Sequence, residues 1–206
     1  MNFLYTLRIL GILLMFFSTA QLFPASVAYY FQEYALIKVF FNTLLATFLC
    51  GFLLYILSAT RKEDLRTKDG FIITVLFWTV LSIFGSFPLI FAEEIDISYI
   101  DALFESISGL TTTGATVLTG LDELPRSILF YRQLLQWLGG MGIIVLAVAV
   151  LPLLGIGGMQ LYKAETPGPL KDSKLTPRIT ETAKALWYVY LTMTIVCASA
   201  YKFFGM

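Results

Sequence analysis

Ser98–Thr116 reads SYIDALFESISGLTTTGAT. Ser98 with Asp101 three positions on fits a helix-capping box, and Tyr99, Ala102, Leu103, Ser106, Ile107 and Leu110 recur at helical spacing. About 12 helical residues cover only some 18 Å, well short of a hydrocarbon core of about 30 Å. Gly109 is the expected helix stop, because glycine takes the left-handed conformation after a last turn at little cost. Thr111-Thr112-Thr113-Gly114-Ala115 follows as a short polar stretch expected to be extended. Outward on either side lie Phe71–Ala92 and Ser127–Leu154, apolar runs long enough to cross a bilayer. Two such spans run in opposite directions, so the short helix between them must enter the membrane and return on the same side.

Non-helical backbone at membrane depth is tolerated only where it is buried in protein or lines a water-filled cavity. Consecutive carbonyls with threonine hydroxyls beside them are oxygen ligands that a hard monovalent cation accepts in exchange for its hydration shell. Gly114 can adopt backbone angles closed to other residues, and the short helix aims the partly negative end of its dipole at the same place. A bare TTTG carries little information. Span, half-helix, TTTGA and span together read as one pore-loop repeat.

The whole composition agrees with a membrane setting. The chain has 206 residues, 58% hydrophobic and 14% charged, with a mean hydropathy of +0.79, against about 25% charged in soluble domains. Fourteen Lys and Arg balance fourteen Asp and Glu, so the global basic field that nucleic-acid binding uses is missing. With no His the commonest general base and transition-metal ligand is absent. Cys50 and Cys197 stand in separate apolar runs and read as packing residues rather than a metal or disulfide framework. Together these features point away from an enzyme.

Three further apolar runs, Phe3–Phe23, Ala35–Leu57 and Ala185–Phe204, bring the expected crossings to five. The first lacks a small-residue cleavage site and is kept as a retained span rather than a signal peptide. Arg61, Lys62, Arg66 and Lys68 follow the second span, and Lys163, Lys171, Lys174, Arg178 and Lys184 follow the fourth. With Arg8 these place most of the basic charge on one side, which the positive-inside rule makes cytoplasmic. The N-terminus is then inside. The other side carries Glu33, Glu93, Glu94, Asp96, Asp101, Asp122 and Glu123, either a ring that concentrates cations or ordinary loop charge.

Some features have two readings. Gly139, Gly140 and Gly142 suit close helix packing better than a hinge. Arg132 is expected to snorkel to the interface, with pairing to Glu105 as the alternative. Glu105, a carboxylate in the middle of the short helix, either tunes the field at the loop or anchors the helix through hydrogen bonds. Anchoring is favoured, since a formal charge at a carbonyl site would hold a cation too tightly to release it.

The run from Phe104 to Trp187, with RQLLQWLGGMGIIVLAV, GGMQLY, AETPGP, KLTPRI and ETAK, resembles the TrkH family of bacterial potassium uptake proteins, within the superfamily of K⁺ transporters. The resemblance extends to RILGILLMF and GFIITVLFWTV near the N-terminus. It implies a chain similar to a single-chain potassium channel, with four span–pore-helix–span repeats behind two extra helices. The expected fold is an all-α polytopic membrane protein. Residues 1–69 would hold the two extra transmembrane helices and a basic linker. Residues 70–154 would form the first pore-loop repeat (span 71–92, pore helix 98–109, filter 111–115, span 127–154). Residues 155–184 would form a cytoplasmic linker and residues 185–206 the first span of a second repeat.

By the same resemblance, Thr111, Thr112, Thr113 and Gly114 match the first quarter of a K⁺ selectivity filter, potassium is the transported ion, and the site is a bacterial inner membrane. The linker would dock a cytosolic nucleotide-binding regulatory subunit of the TrkA type, and complete chains would form a homodimer. Gly155–Gly158 lacks the Lys-Ser/Thr of a phosphate loop, so any nucleotide dependence would lie in that partner. One quarter does not surround an ion, so a fragment of a longer transporter is expected. The rival reading is a non-conducting membrane assembly subunit that holds a cytosolic partner. Coupling to H⁺ or Na⁺ would depend on all four quarters.

Overall fold

Every regular element among the described residues is helical, as the uninterrupted apolar runs require. The structure, a computed structural model, describes residues 3–58, 67–150 and 175–205. In chain order the helices are α1 (Phe3–Ala20), α2 (Leu22–Tyr30), α3 (Tyr34–Leu57), α4 (Thr67–Ile90), α5 (Tyr99–Leu110), α6 (Arg126–Val150) and α7 (Leu175–Phe203), with a 3₁₀ turn at Leu121–Glu123. They divide into one unit of residues 1–140 and another of residues 141–206.

Among the described residues, three segments are long and apolar enough to cross a membrane: Thr6–Tyr30, Tyr34–Leu57 and Ile72–Ile90. The other two expected crossings fall on α6 and α7, which have 25 and 29 residues. The first segment corrects the expected end at Phe23. Pro24 falls in the first turn of α2, where its missing N–H has no intrahelical partner to lose, so the chain continues helically to Tyr30. α2 closes with Gln32 left-handed at φ 61°, while Glu33 N–H donates to the Ala28 carbonyl at 2.8 Å and Gln32 N–H to Tyr29 at 3.2 Å. That pair of bonds is a Schellman closure.

In the first unit α1 packs along α3 through a pair of glycines. A Cβ on Gly51 would meet the Gly11 carbonyl at 2.7 Å, so only glycine lets the two backbones approach this closely. At one end of that pair Arg8 donates to the Tyr55 hydroxyl at 2.9 Å and lies 4.6 Å over its ring. Two buried hydroxyls on α3 and α4 are satisfied within their own helices: Thr47 donates to the Thr43 carbonyl and Ser82 to Trp78, both at 2.7 Å. The buried core of this unit contains Leu14, Phe17, Leu36, Phe40, Leu89, Leu110 and Leu135. Tyr131 of α6 is fully buried there, its ring 5.6 Å from Phe40 and its hydroxyl donating to the Gly85 carbonyl at 2.7 Å.

In the second unit α7 begins at Leu175, ten residues before the expected span at Ala185. The linker expected over 155–184 lies outside the described residues as far as 174, as does the basic stretch 61–66. Cys50 is half-buried on α3, as a packing residue should be, whereas Cys197 is exposed on α7.

Candidate functional site

The loop at Thr111–Ala115 is built outward from the end of α5. Ser98 caps that helix: its Oγ accepts from the Asp101 N–H at 3.1 Å and its hydroxyl donates to the Asp101 carboxylate at 2.7 Å. Aspartate is one methylene shorter than the Glu of the usual box, so its carboxylate binds the cap hydroxyl.

At the other end the expectation for Gly109 is corrected. Gly109 lies inside the helix, where a Cβ would meet Leu135 at 2.9 Å. Glycine is needed there for contact with α6, so the left-handed position falls three residues later. Thr112 takes it at φ 58°, and the closing bonds run from Thr112 N–H to the Gly109 carbonyl and from Thr113 N–H to Ser108, both at 2.9 Å. A β-branched residue at positive φ is a genuine outlier, worth about 1–3 kcal/mol of strain. The stretch is therefore not extended from Thr111: its first two residues complete a Schellman closure.

That closure orients the carbonyls. The N–H groups of Thr112, Thr113 and Gly114 all donate back to α5, to Gly109 and twice to Ser108, the last at 3.3 Å. In a planar trans peptide the carbonyl points opposite its N–H, so the carbonyls of Thr111, Thr112 and Thr113 turn away from α5. None of the carbonyls of residues 111–114 accepts a hydrogen bond from another described residue. The Thr111 and Thr113 hydroxyls sit 2.9 Å apart beside them, and the whole stretch is exposed. Gly114 continues at φ 74°.

The returning segment is held by Glu105. One carboxylate oxygen of this buried side chain accepts from the Thr116 hydroxyl at 2.6 Å and the Val117 N–H at 2.7 Å; the other takes Arg132 Nε at 2.8 Å. Of the two readings of Glu105, anchoring is what the structure shows. Arg132 pairs inward instead of snorkelling. Leu135, Gln136 and Gly139 continue the same face of α6 along the loop. A Cβ on Gly114 would lie 3.3 Å from Gln136 Nε2, and one on Gly139 would overlap the Leu110 carbonyl. Gly139 is thus a packing glycine. The result is a row of uncommitted oxygens on a strained, well-anchored turn, suited to a desolvated monovalent cation.

Residues 36–205 match the TrkH family, described as cation transport proteins. The chain belongs to the TrkH family. Over its full length it is 57% identical to the Trk system potassium uptake protein TrkH of Vibrio parahaemolyticus and 53% identical to that of Escherichia coli K12, covering 42% of each. A Halomonas elongata TrkH is 58% identical across 97% of this chain and 41% of its own. The crystal structure of the potassium transporter TrkH from V. parahaemolyticus superposes with a TM-score of 0.83 at 52% identity, covering 100% of this chain and 40% of that one. The chain therefore spans about two fifths of the length of the curated relatives it matches.

In this TrkH-family chain the acidic residues beside the loop divide into two groups. Glu93, Glu94, Asp96, Asp122 and Glu123 are exposed. Glu33 instead accepts from the N–H groups of Arg126 at 2.7 Å and Ser127 at 3.1 Å, and from the Ser127 hydroxyl. It caps α6 from 93 positions away in sequence, tying the α2–α3 turn to the helix that carries Arg132. Glu33→Ala should lower stability by about 0.5–2 kcal/mol, the worth of a helix cap, with cation preference unchanged. Thermal unfolding of the purified protein beside an uptake assay checks this. Sequence reasoning missed Glu33 as a cap, Gln136 as a neighbour of Gly114, and Thr112 as the strained residue; only the Glu105–Arg132 pairing was anticipated, as an alternative.

Proposed function

We propose that this chain supplies one quarter of a potassium-selective pore, with Thr111, Thr112, Thr113 and Gly114 as its ion ligands. The observation that carries the reading is the row of carbonyls from residue 111 to 114, turned away from α5 and unengaged by any described donor. Backbone oxygens in that state at membrane depth need a partner, and a K⁺ ion stripped of water is one. Spans 71–92 and 127–154 with the pore helix between them form the first repeat, and the two preceding helices support it through Glu33.

The names of the relatives favour potassium as the ion. In a bacterial cytoplasmic membrane with the N-terminus inside, the membrane potential drives uptake. At about 2.3 kcal/mol per charge per 100 mV it supports a concentration ratio of roughly fifty without any chemical step. The segment 155–184 faces the cytosol as the docking region for a nucleotide-binding subunit of the TrkA type, and full-length chains pair as homodimers.

Gly114→Ser in the full-length transporter tests the filter. A side chain at φ 74° costs about 1–2 kcal/mol and moves the carbonyls beside it, so K⁺ preference over Na⁺ should fall roughly tenfold. Uptake of ⁸⁶Rb⁺ and ²²Na⁺ in a host without its own potassium uptake measures this. An unchanged preference at normal protein level would sink the filter assignment.

A further inference from the structure

Of the three N–H groups that tie residues 112–114 to α5, that of Gly114 is held most loosely. It shares the Ser108 carbonyl with Thr113 and lies 3.3 Å from it, against 2.9 Å for the other two bonds. The peptide joining Thr113 to Gly114 is therefore the one most easily rotated. Gly114 has no Cβ to obstruct the rotation. Beside it stands the carboxamide of Gln136, its Nε2 3.3 Å from where that Cβ would be. Gln136 is half-buried, and its amide forms no hydrogen bond to a described residue. An amide whose donors have no described acceptor thus adjoins a peptide whose carbonyl has no described donor.

We propose that Gln136 sets the apparent ion affinity by competing with the ion for the filter backbone. With a cation bound, the Thr113 carbonyl faces it. When the cation leaves, the Thr113–Gly114 peptide rotates, the long bond to Ser108 breaks, and the carbonyl accepts from Gln136 Nε2. One weak hydrogen bond is exchanged for another, so the two states lie close in free energy and ion binding decides between them. The inference rests on residues 111–114 being ion ligands. It adds a named partner for the ion-free state.

The consequence is a penalty on apparent affinity, because only the fraction of filters with the carbonyl free can bind. Gln136→Met keeps the length of the side chain and removes its donors. In the full-length transporter it should lower the half-saturating K⁺ concentration for ⁸⁶Rb⁺ uptake about threefold to tenfold, the worth of one net hydrogen bond, with the maximal rate unchanged. Gln136→Leu should act in the same direction and carries the test if the first variant fails to reach the membrane. Gln133→Met, at an exposed position on the same helix, should leave the value unchanged. A half-saturating concentration that stays the same or rises in the Gln136 variants, while Gly114→Ser still alters ion preference, overturns this proposal alone. No change in ion preference with Gly114→Ser removes the filter reading beneath it.

Discussion

Arg132→Met is expected to abolish potassium uptake by the full-length transporter and to lower its stability by about 3–5 kcal/mol, the usual result of leaving one member of a buried ion pair without the other. The Glu105 side chain is 2% exposed and that of Arg132 11%, so water does not replace the lost guanidinium. The carboxylate would still accept from Thr116 and Val117 on one oxygen, while the oxygen facing α6 would be stranded. Because that carboxylate fixes the segment returning from Gly114, the loop proposed as the filter would lose its anchor as the protein loses stability. Adding Glu105→Gln should recover most of the stability, since a neutral amide has no charge to strand, without restoring uptake at the wild-type level. Thermal unfolding in detergent and uptake by cells follow the two effects separately. A single variant within about 1 kcal/mol of the parent would show that the pair is dispensable.

Gly139→Ala should have the second largest effect. A methyl group there overlaps the carbonyl of Leu110, which is backbone and has no rotamer to escape into. α5 or α6 must shift, and overpacking of this kind costs about 1–3 kcal/mol. The displaced carbonyl lies two residues before Thr112, so the shift is delivered to the strained turn and K⁺ preference should fall with stability. Gly120→Ala is the control. It strains the backbone at φ 64°, yet its Cβ has only Glu123 at 3.8 Å, so it should lower stability slightly and leave ion preference alone. Equal loss of preference in both variants would show that the α5–α6 contact does not position the filter.

The contrast between Gly109 and Thr112 shows where reading along the chain runs out. Glycine is the residue the left-handed position prefers, and on local grounds the helix should end at Gly109. Leu135, 26 positions on, needs the missing Cβ of Gly109 for its own packing, so the helix runs to Leu110 and a threonine bears the strain. A contact between elements overrode a backbone preference of about 1–2 kcal/mol. The span that starts in α1 runs past its expected end at Phe23 for the opposite reason: Pro24 stands in the first turn of α2, where a proline does not interrupt the helix.

Features with short sequence reach were legible in the sequence. The Ser98–Asp101 cap, the length of α5, the long apolar helices and the polar stretch that follows α5 all follow from neighbours within about one or two turns, where hydrophobic spacing and capping chemistry act. Partners far apart in the chain were not: Glu33 with Ser127, Gln136 with Gly114, and Arg132 with Glu105 in preference to the interface. A buried carboxylate demands compensation, but which donor provides it depends on how the helices pack. The sequence by itself determined an all-helical membrane chain with a short helix presenting backbone oxygens. Only the tertiary structure decided how those oxygens are held, because the charges, glycines and caps that fix them lie on separate helices and meet only after packing.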